Sequence, residues 1–265
     1  GQIRRQRQMC IRDSGNTVSL SSDGTIVAIG AYGNDGKGAN TGHVRIYEWD
    51  GSTWIQKGAD IDGEAAEDRS GNSLSLSSDG TTVAIGAWDN DGNGFSYATG
   101  HVRVYGWNGS KWVQRGSDID GESSGDRNGY SVSLSSDGSI VAIGAYCNSD
   151  NGFCAGHVRV YEWDGSTWIQ KGADIDGEAR GDNSGNSVSL SSDGNTLAIG
   201  ALLNDVPPAN SDGLNIGHVR VYGWNGSAWF QKGADIDGEA VGDMSGVSVS
   251  LSSDGTIIAI GALYN

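Results

Sequence analysis

Ser77-Ser78-Asp79-Gly80-Thr81-Thr82-Val83-Ala84-Ile85-Gly86-Ala87 decides how this chain is read, because nearly the same stretch returns in every unit. The tetrapeptide Ser-Ser-Asp-Gly ends at Gly24, Gly80, Gly138, Gly194 and Gly255, at spacings of 56, 58, 56 and 61 residues. A second signature, Gly-His-Val-Arg, begins at Gly42, Gly100, Gly156 and Gly217, always 38 residues before the next Ser-Ser-Asp-Gly glycine. From each of those glycines to the following Gly-His-Val-Arg the distance varies: 18, 20, 18 and 23 residues. All length variation therefore falls in one loop per unit, which is how a stacked array absorbs insertions. Such repetition argues for a surface built many times over rather than for one catalytic pocket.

Four strand-like runs recur in each unit: Ser131 to Leu134, Val83 to Ala87, His101 to Trp107 and Trp112 to Gly116 are examples of the successive runs. Asp50-Gly51, Asn108-Gly109, Asp164-Gly165 and Asn225-Gly226 separate the third run from the fourth. Asn-Gly and Asp-Gly between apolar alternations are strong hairpin signals, since both positions tolerate positive φ. No sustained 3.6-residue period exists, so helices are not expected. In the second run Val83 and Ile85 share one face while Ala84 and Gly86 share the other, a small surface that lets a neighbouring sheet approach closely. The third run sets His101, Arg103, Tyr105 and Trp107 on one bulky face able to fill against it. The expectation is an all-β chain, a β-propeller of four-stranded antiparallel blades with four full repeats and part of a fifth.

Composition agrees: 44 Gly and only 2 Pro accompany 36% hydrophobic residues, with nine Trp and nine Tyr supplying bulk. The net charge of −16 argues against a nucleic-acid partner or an anionic membrane surface. No apolar run approaches the roughly 18 residues that insertion as a transmembrane helix requires. Arg4 to Asp13 belongs to no repeat and reads, codon for codon, as a translated sequencing-library adapter. Residues 1–13 are therefore expected to be non-native, with the repeats in 14–265 incomplete at both ends. Cys10 falls in that segment, whereas Cys147 and Cys154 bracket the variable loop of the third unit. Two cysteines introduced together across one loop point to a disulfide and to an oxidising, extracellular or cell-surface setting.

Candidate sites follow from what recurs and what does not. Asp89, Asp91 and Asn93 before Gly94 alternate oxygen ligands in a way that suits a hard cation, calcium (Ca2+), though sister units lack the pattern. A second acidic set, Asp60, Asp62, Glu64 and Asp68 with Asp118, Asp174 and Asp235, reads as a solvated loop between units, with cation binding as the alternative. His43, His101, His157 and His218 hold one equivalent position and read as packed or hydrogen-bonded residues of the unit. Arg45, Arg103, Arg159 and Arg220 recur beside them, suited to ion pairs between units or to stacking on tryptophan. Eight tryptophans form pairs around the hairpin: Trp49 with Trp54, Trp107 with Trp112, Trp163 with Trp168, and Trp224 with Trp229. Such pairs stabilise a hairpin, and could also stack on sugar rings. Trp88, Phe153, Arg180, Pro207, Pro208, Met244 and the cysteine pair break the symmetry, and none forms a nucleophile with its base.

The unit resembles the FG-GAP repeat of integrin-α-type propellers. The resemblance rests on Ser14-Gly15, Ser70-Gly71, Asn128-Gly129, Ser184-Gly185 and Ser245-Gly246 at the opening, and on Gly30-Ala31, Gly86-Ala87, Gly144-Ala145, Gly200-Ala201 and Gly261-Ala262 at the close of the second strand. Here the family's Phe and Pro are replaced throughout. Integrin-type blades carry an Asp-rich cation loop between their first two strands, where this chain has only the Ser-Ser-Asp-Gly turn. The resemblance implies an extracellular or cell-surface binding and adhesion module without catalysis, meeting a protein or glycan ligand at its loop face. The alternative expectation is a lectin-like propeller that uses the tryptophan pairs.

Overall fold

A computed structural model describes residues 15–91, 97–205 and 215–265. The described residues form strands and turns and no helix, arranged as four repeated antiparallel sheets followed by a fifth, two-stranded one. The chain is a β-propeller arc of four full units and part of a fifth. The assignment of residues 1–13 lies outside the described residues.

The third unit shows the pattern. Its strands are Ser131–Leu134, Ile140–Ala145, His157–Trp163 and Trp168–Gln170, each antiparallel to the one before. In register, Leu134 faces Val141, Ile143 faces Arg159, and Trp163 faces Trp168. One short element was not expected. Ile175–Asp176, in the supposedly solvated acidic loop, forms a two-residue strand against the start of the third strand, with Asp176 opposite His157. The acidic linker is thereby drawn alongside the recurrent histidine.

The turns are built from their own side chains. Asp137 Oδ1 accepts from the Ser135 hydroxyl (2.7 Å) and the Ser139 N–H (2.9 Å), and Asp164 Oδ1 accepts from the N–H groups of Ser166 and Thr167. Gly165 sits at φ +102°, which its lack of Cβ permits.

The units join through their faces. First strands lie against first strands, where the hydroxyl of Ser75 accepts from Leu134 N–H and that of Ser133 accepts from Leu190 N–H, both at 3.0 Å. The alternation of large and small residues decides the packing. Val83 and Ile85 turn back onto Ile26, Ala28, Val44 and Ile46 of the first unit, while Ala84 faces Val141 and Ile143 of the third. The core thus lies between sheets, so each unit depends on its neighbours. Glycine is needed where backbones meet: a Cβ on Gly144 would run into the Gly185 carbonyl of the next unit. The Ser-Ser-Asp-Gly turns and Asp-Gly hairpins lie at one end of every sheet. The described parts of the variable loops, the acidic linkers and the recurrent histidines lie at the other.

Candidate functional site

At that second end, each third strand opens with a buried histidine. His157 has no exposed surface at all, and His101 and His218 are nearly as buried. The short strand Ile175–Asp176 brings the preceding Asp174 to the ring, with Asp174 Oδ2 3.7 Å from His157 Nδ1. The other oxygen, Oδ1, accepts from Gln170 Nε2 at 2.5 Å, which fixes the carboxylate. Neither nitrogen of His157 has a hydrogen-bond partner. Burial, reinforced by the neighbouring Arg159, lowers its pKa from 6.5 to about 4, so the imidazole is neutral near pH 7 and offers a lone pair. The same relationship holds for His101 with Asp118 (3.6 Å) and His218 with Asp235 (3.8 Å).

A third group comes from the preceding unit. Arg159 reaches back across the interface, donating from Nη2 to the Asp120 carbonyl (2.7 Å), with Nη1 3.3 Å from Glu122. Its guanidinium lies over Tyr161, 5.7 Å from the ring centroid. Asp126 anchors the linker by accepting from the N–H groups of Glu122 (3.1 Å) and Ser123 (2.8 Å). Burial raises the Glu122 carboxyl, opposed by Arg159. Arg103 treats Glu64 alike, and Arg220 treats Glu178 alike. His101, His157 and His218 therefore each gather an aspartate of their own unit and a glutamate of the unit before. In the first unit Arg45 instead pairs with Asp60, and the group is His43, Asp60 and Asp62.

The third unit differs by one carboxylate. Its variable loop is closed by a disulfide between Cys147 and Cys154. Inside that loop Asn148, almost fully buried, accepts from Asp150 N–H (3.0 Å) and donates to its carboxylate (3.3 Å). Asn151 ties the same loop to the Gly177 carbonyl at 2.7 Å. The result is Glu122, Asp150, His157 and Asp174, with one ligand atom from each lying within 4.8 Å of all the others. The other groups among the described residues have three members: His43 with Asp60 and Asp62, Glu64 with His101 and Asp118, and Glu178 with His218 and Asp235. Groups able to hold a metal ion are therefore present, and the fullest straddles the second and third units.

Of the residues singled out from sequence, the histidines and Asp60, Asp62, Glu64, Asp118, Asp174 and Asp235 of the acidic set lie in these groups, whereas the Asp89 set and the tryptophan pairs lie elsewhere. Asp89 pairs with Arg69 at 3.1 Å, Asp91 accepts from Ala98 N–H at 3.2 Å, and Asn93 lies outside the described residues. The tryptophan pairs meet at 5.2 to 5.5 Å between ring centroids. Three second members, Trp112, Trp168 and Trp229, donate their indole N–H to carbonyls of the preceding unit. Three first members, Trp107, Trp163 and Trp224, lie under Lys57, Arg115 and Lys171 of that unit. These rings join units, while Trp49 and Trp54 are more exposed. Arg103, Arg159 and Arg220 stack on the tyrosine two residues along the same strand face, rather than on tryptophan. One signal for the His groups was legible: each histidine precedes its aspartate by 17 residues, from His43 and Asp60 to His218 and Asp235.

No protein-family model matches the chain, and a search of curated proteins finds no match. Its fold is shared with solved propellers. The periplasmic gluconolactonase of Pseudomonas aeruginosa superposes with a TM-score of 0.57 at 17% identity, over 92% of this chain and 63% of that one. A Bacteroides uniformis protein assigned as a 6-phosphogluconolactonase gives 0.50 at 12% identity, over 92% and 76%. This chain thus spans less than two thirds of the length of the first. At these identities the likeness concerns the fold. No helix among the described residues is long and apolar enough to cross a membrane.

The expectation of a non-catalytic adhesion or lectin-like module, and with it the exclusion of an enzyme, is corrected by these neighbours. They are lactonase-type propellers rather than adhesion modules. The inference from repetition failed for a physical reason. A propeller can assemble a site from loops of consecutive units, so repetition of the strands does not forbid a unique cluster above them.

Proposed function

We propose that this chain is a hydrolase of the lactonase type, opening small, sugar-derived cyclic esters at the loop face around His157. The observation that carries this reading is Asp150, which makes the group around His157 four-membered where the other groups among the described residues have three members. Opening a lactone adds water across the ester: the water oxygen bonds to the carbonyl carbon, the ring C–O bond breaks, and the ring oxygen leaves with a proton as a hydroxyl. The attacking water must lose a proton as it adds, a task for positioned carboxylates. Glu122, Asp150 and Asp174 are carboxylates held by Arg159, Asn148 and Gln170 respectively. The lactonase-type neighbours support the choice of substrate class. A divalent cation goes with the reading, calcium among the ions to be tested. So does an oxidising compartment outside the cytoplasm, which the Cys147–Cys154 disulfide supports.

The test is acid release from gluconolactone followed in a pH-stat. The purified protein should exceed the spontaneous rate, and Asp150→Asn should lose about a hundred-fold or more, the lower range of a positioned acid–base group. A wild-type rate equal to that of buffer would remove the assignment.

A further inference from the structure

We propose that Glu122, Asp150, His157 and Asp174 form a binding site for one divalent transition-metal cation of the Mn2+ or Zn2+ class, bridging the second and third units. The proposal concerns the site of the proposed hydrolase but does not depend on the reaction assigned to it.

The donor set is three carboxylates and one imidazole, with one ligand atom from each lying within 4.8 Å of all the others. Carboxylate oxygens suit Mg2+, Ca2+ and Mn2+, and an imidazole in the set moves the preference toward transition-metal cations such as Zn2+, leaving Mn2+ and Zn2+ ahead of Ca2+. The independent observation is His157 itself. It is wholly buried, aimed at Asp174, and leaves both ring nitrogens without a hydrogen bond. An orphaned buried polar atom is costly, and a metal ion is a partner that such a ring nitrogen can take.

The surroundings match what ligands require. Metal-bound carboxylates are normally held from behind by other groups, which orient them. Here Gln170 holds Asp174, Arg159 holds Glu122, and Asn148 holds Asp150. Among the described residues the sister groups have no fourth donor. In the first unit the variable loop contributes Lys37 instead, and its ammonium pairs with Asp62 at 3.1 Å. One ion is therefore expected at this four-membered group.

Bound to the site, the cation would supply Lewis-acid polarisation of an ester carbonyl. The chain's own residues position it and neutralise its charge.

Titration calorimetry with MnCl2, ZnCl2 and CaCl2 on chelator-treated protein, its disulfide intact, tests the assignment. Loss of the free Mn2+ electron paramagnetic resonance signal provides a second readout. One tight site for Mn2+ or Zn2+ is expected, with Ca2+ at least ten-fold weaker. Asp150→Asn, at an exposed position that should leave folding intact by circular dichroism, should weaken binding at least ten-fold. Asp91→Asn should change nothing. No binding of any ion, Ca2+ binding most tightly, or an Asp150→Asn variant that binds like wild type would each overturn the proposal. Metal binding without lactone opening would uphold this site and remove the hydrolase reading. Lactone opening without metal binding would do the reverse.

Discussion

The indole N–H of Trp168 donates to the carbonyl oxygen of Arg115, 2.8 Å away in the preceding unit, while the Arg115 guanidinium covers Trp163. Residues of one hairpin thus clamp the outer edge of its neighbour. Trp168→Phe removes the donor and strands a carbonyl at the interface, a loss of about 1–3 kcal/mol. Trp54→Phe, at a ring that is 43% exposed, should cost no more than a few tenths of that. Urea denaturation of the two variants side by side checks this. Equal losses would mean that the inter-unit bond contributes nothing of its own.

Burial, with Arg103 and Arg220 adding to it, lowers the pKa of His101 and His218 from 6.5 to about 4. The unfolded chain titrates near 6.5, so between about pH 6.5 and 4 it takes up protons that the folded state refuses. The contribution of these histidines to stability is therefore complete above pH 6.5 and drains away as pH falls through that window. The difference in melting temperature between wild type and His218→Gln should shrink steadily from pH 7 to pH 4.5. A difference independent of pH would contradict the buried neutral state.

Cys147 and Cys154 are seven residues apart and close a short loop. For a loop of that size, removing the crosslink by Cys147→Ser with Cys154→Ser should cost about 2 kcal/mol by the loop-entropy relation. The same change should release Asp150 and weaken cation binding, because Asp150 and its partner Asn148 lie inside the loop. Melting and calorimetry on the double variant read the two effects separately.

Gly144 faces the Gly185 carbonyl so closely that a methyl group cannot enter. Gly144→Ala should force the third and fourth units apart and cost about 1–3 kcal/mol, as overpacking does. A variant as stable as wild type would show that the sheets can separate freely there.

Much of this architecture is legible in the residues themselves. The Ser-Ser-Asp-Gly turns, the Asp-Gly hairpins and the alternation of Val83 and Ile85 with Ala84 and Gly86 are local signals, each acting within a few residues. The site was less legible. The 17-residue step from His157 to Asp174 is visible, yet its meaning depends on the two-residue strand that folds the linker back. Glu122 is 35 residues before His157 and belongs to another unit, so no local pattern joins them. Of the two roles expected for the recurrent arginines, Arg159 takes the ion pair between units, and it stacks on Tyr161 rather than on tryptophan because a strand's period of two puts both on one face.

The sequence by itself determined the unit: its strand order, its turns, its constant body and its one variable loop, because hydrogen-bonded turns and alternating faces are short-range properties of the chain. Only the tertiary structure decided what the histidines do. Stacking one sheet on the next buries His157, carries Glu122 to it across the interface and swings the disulfide-closed loop over both. Distances between units arise from packing and are written in no single stretch of residues.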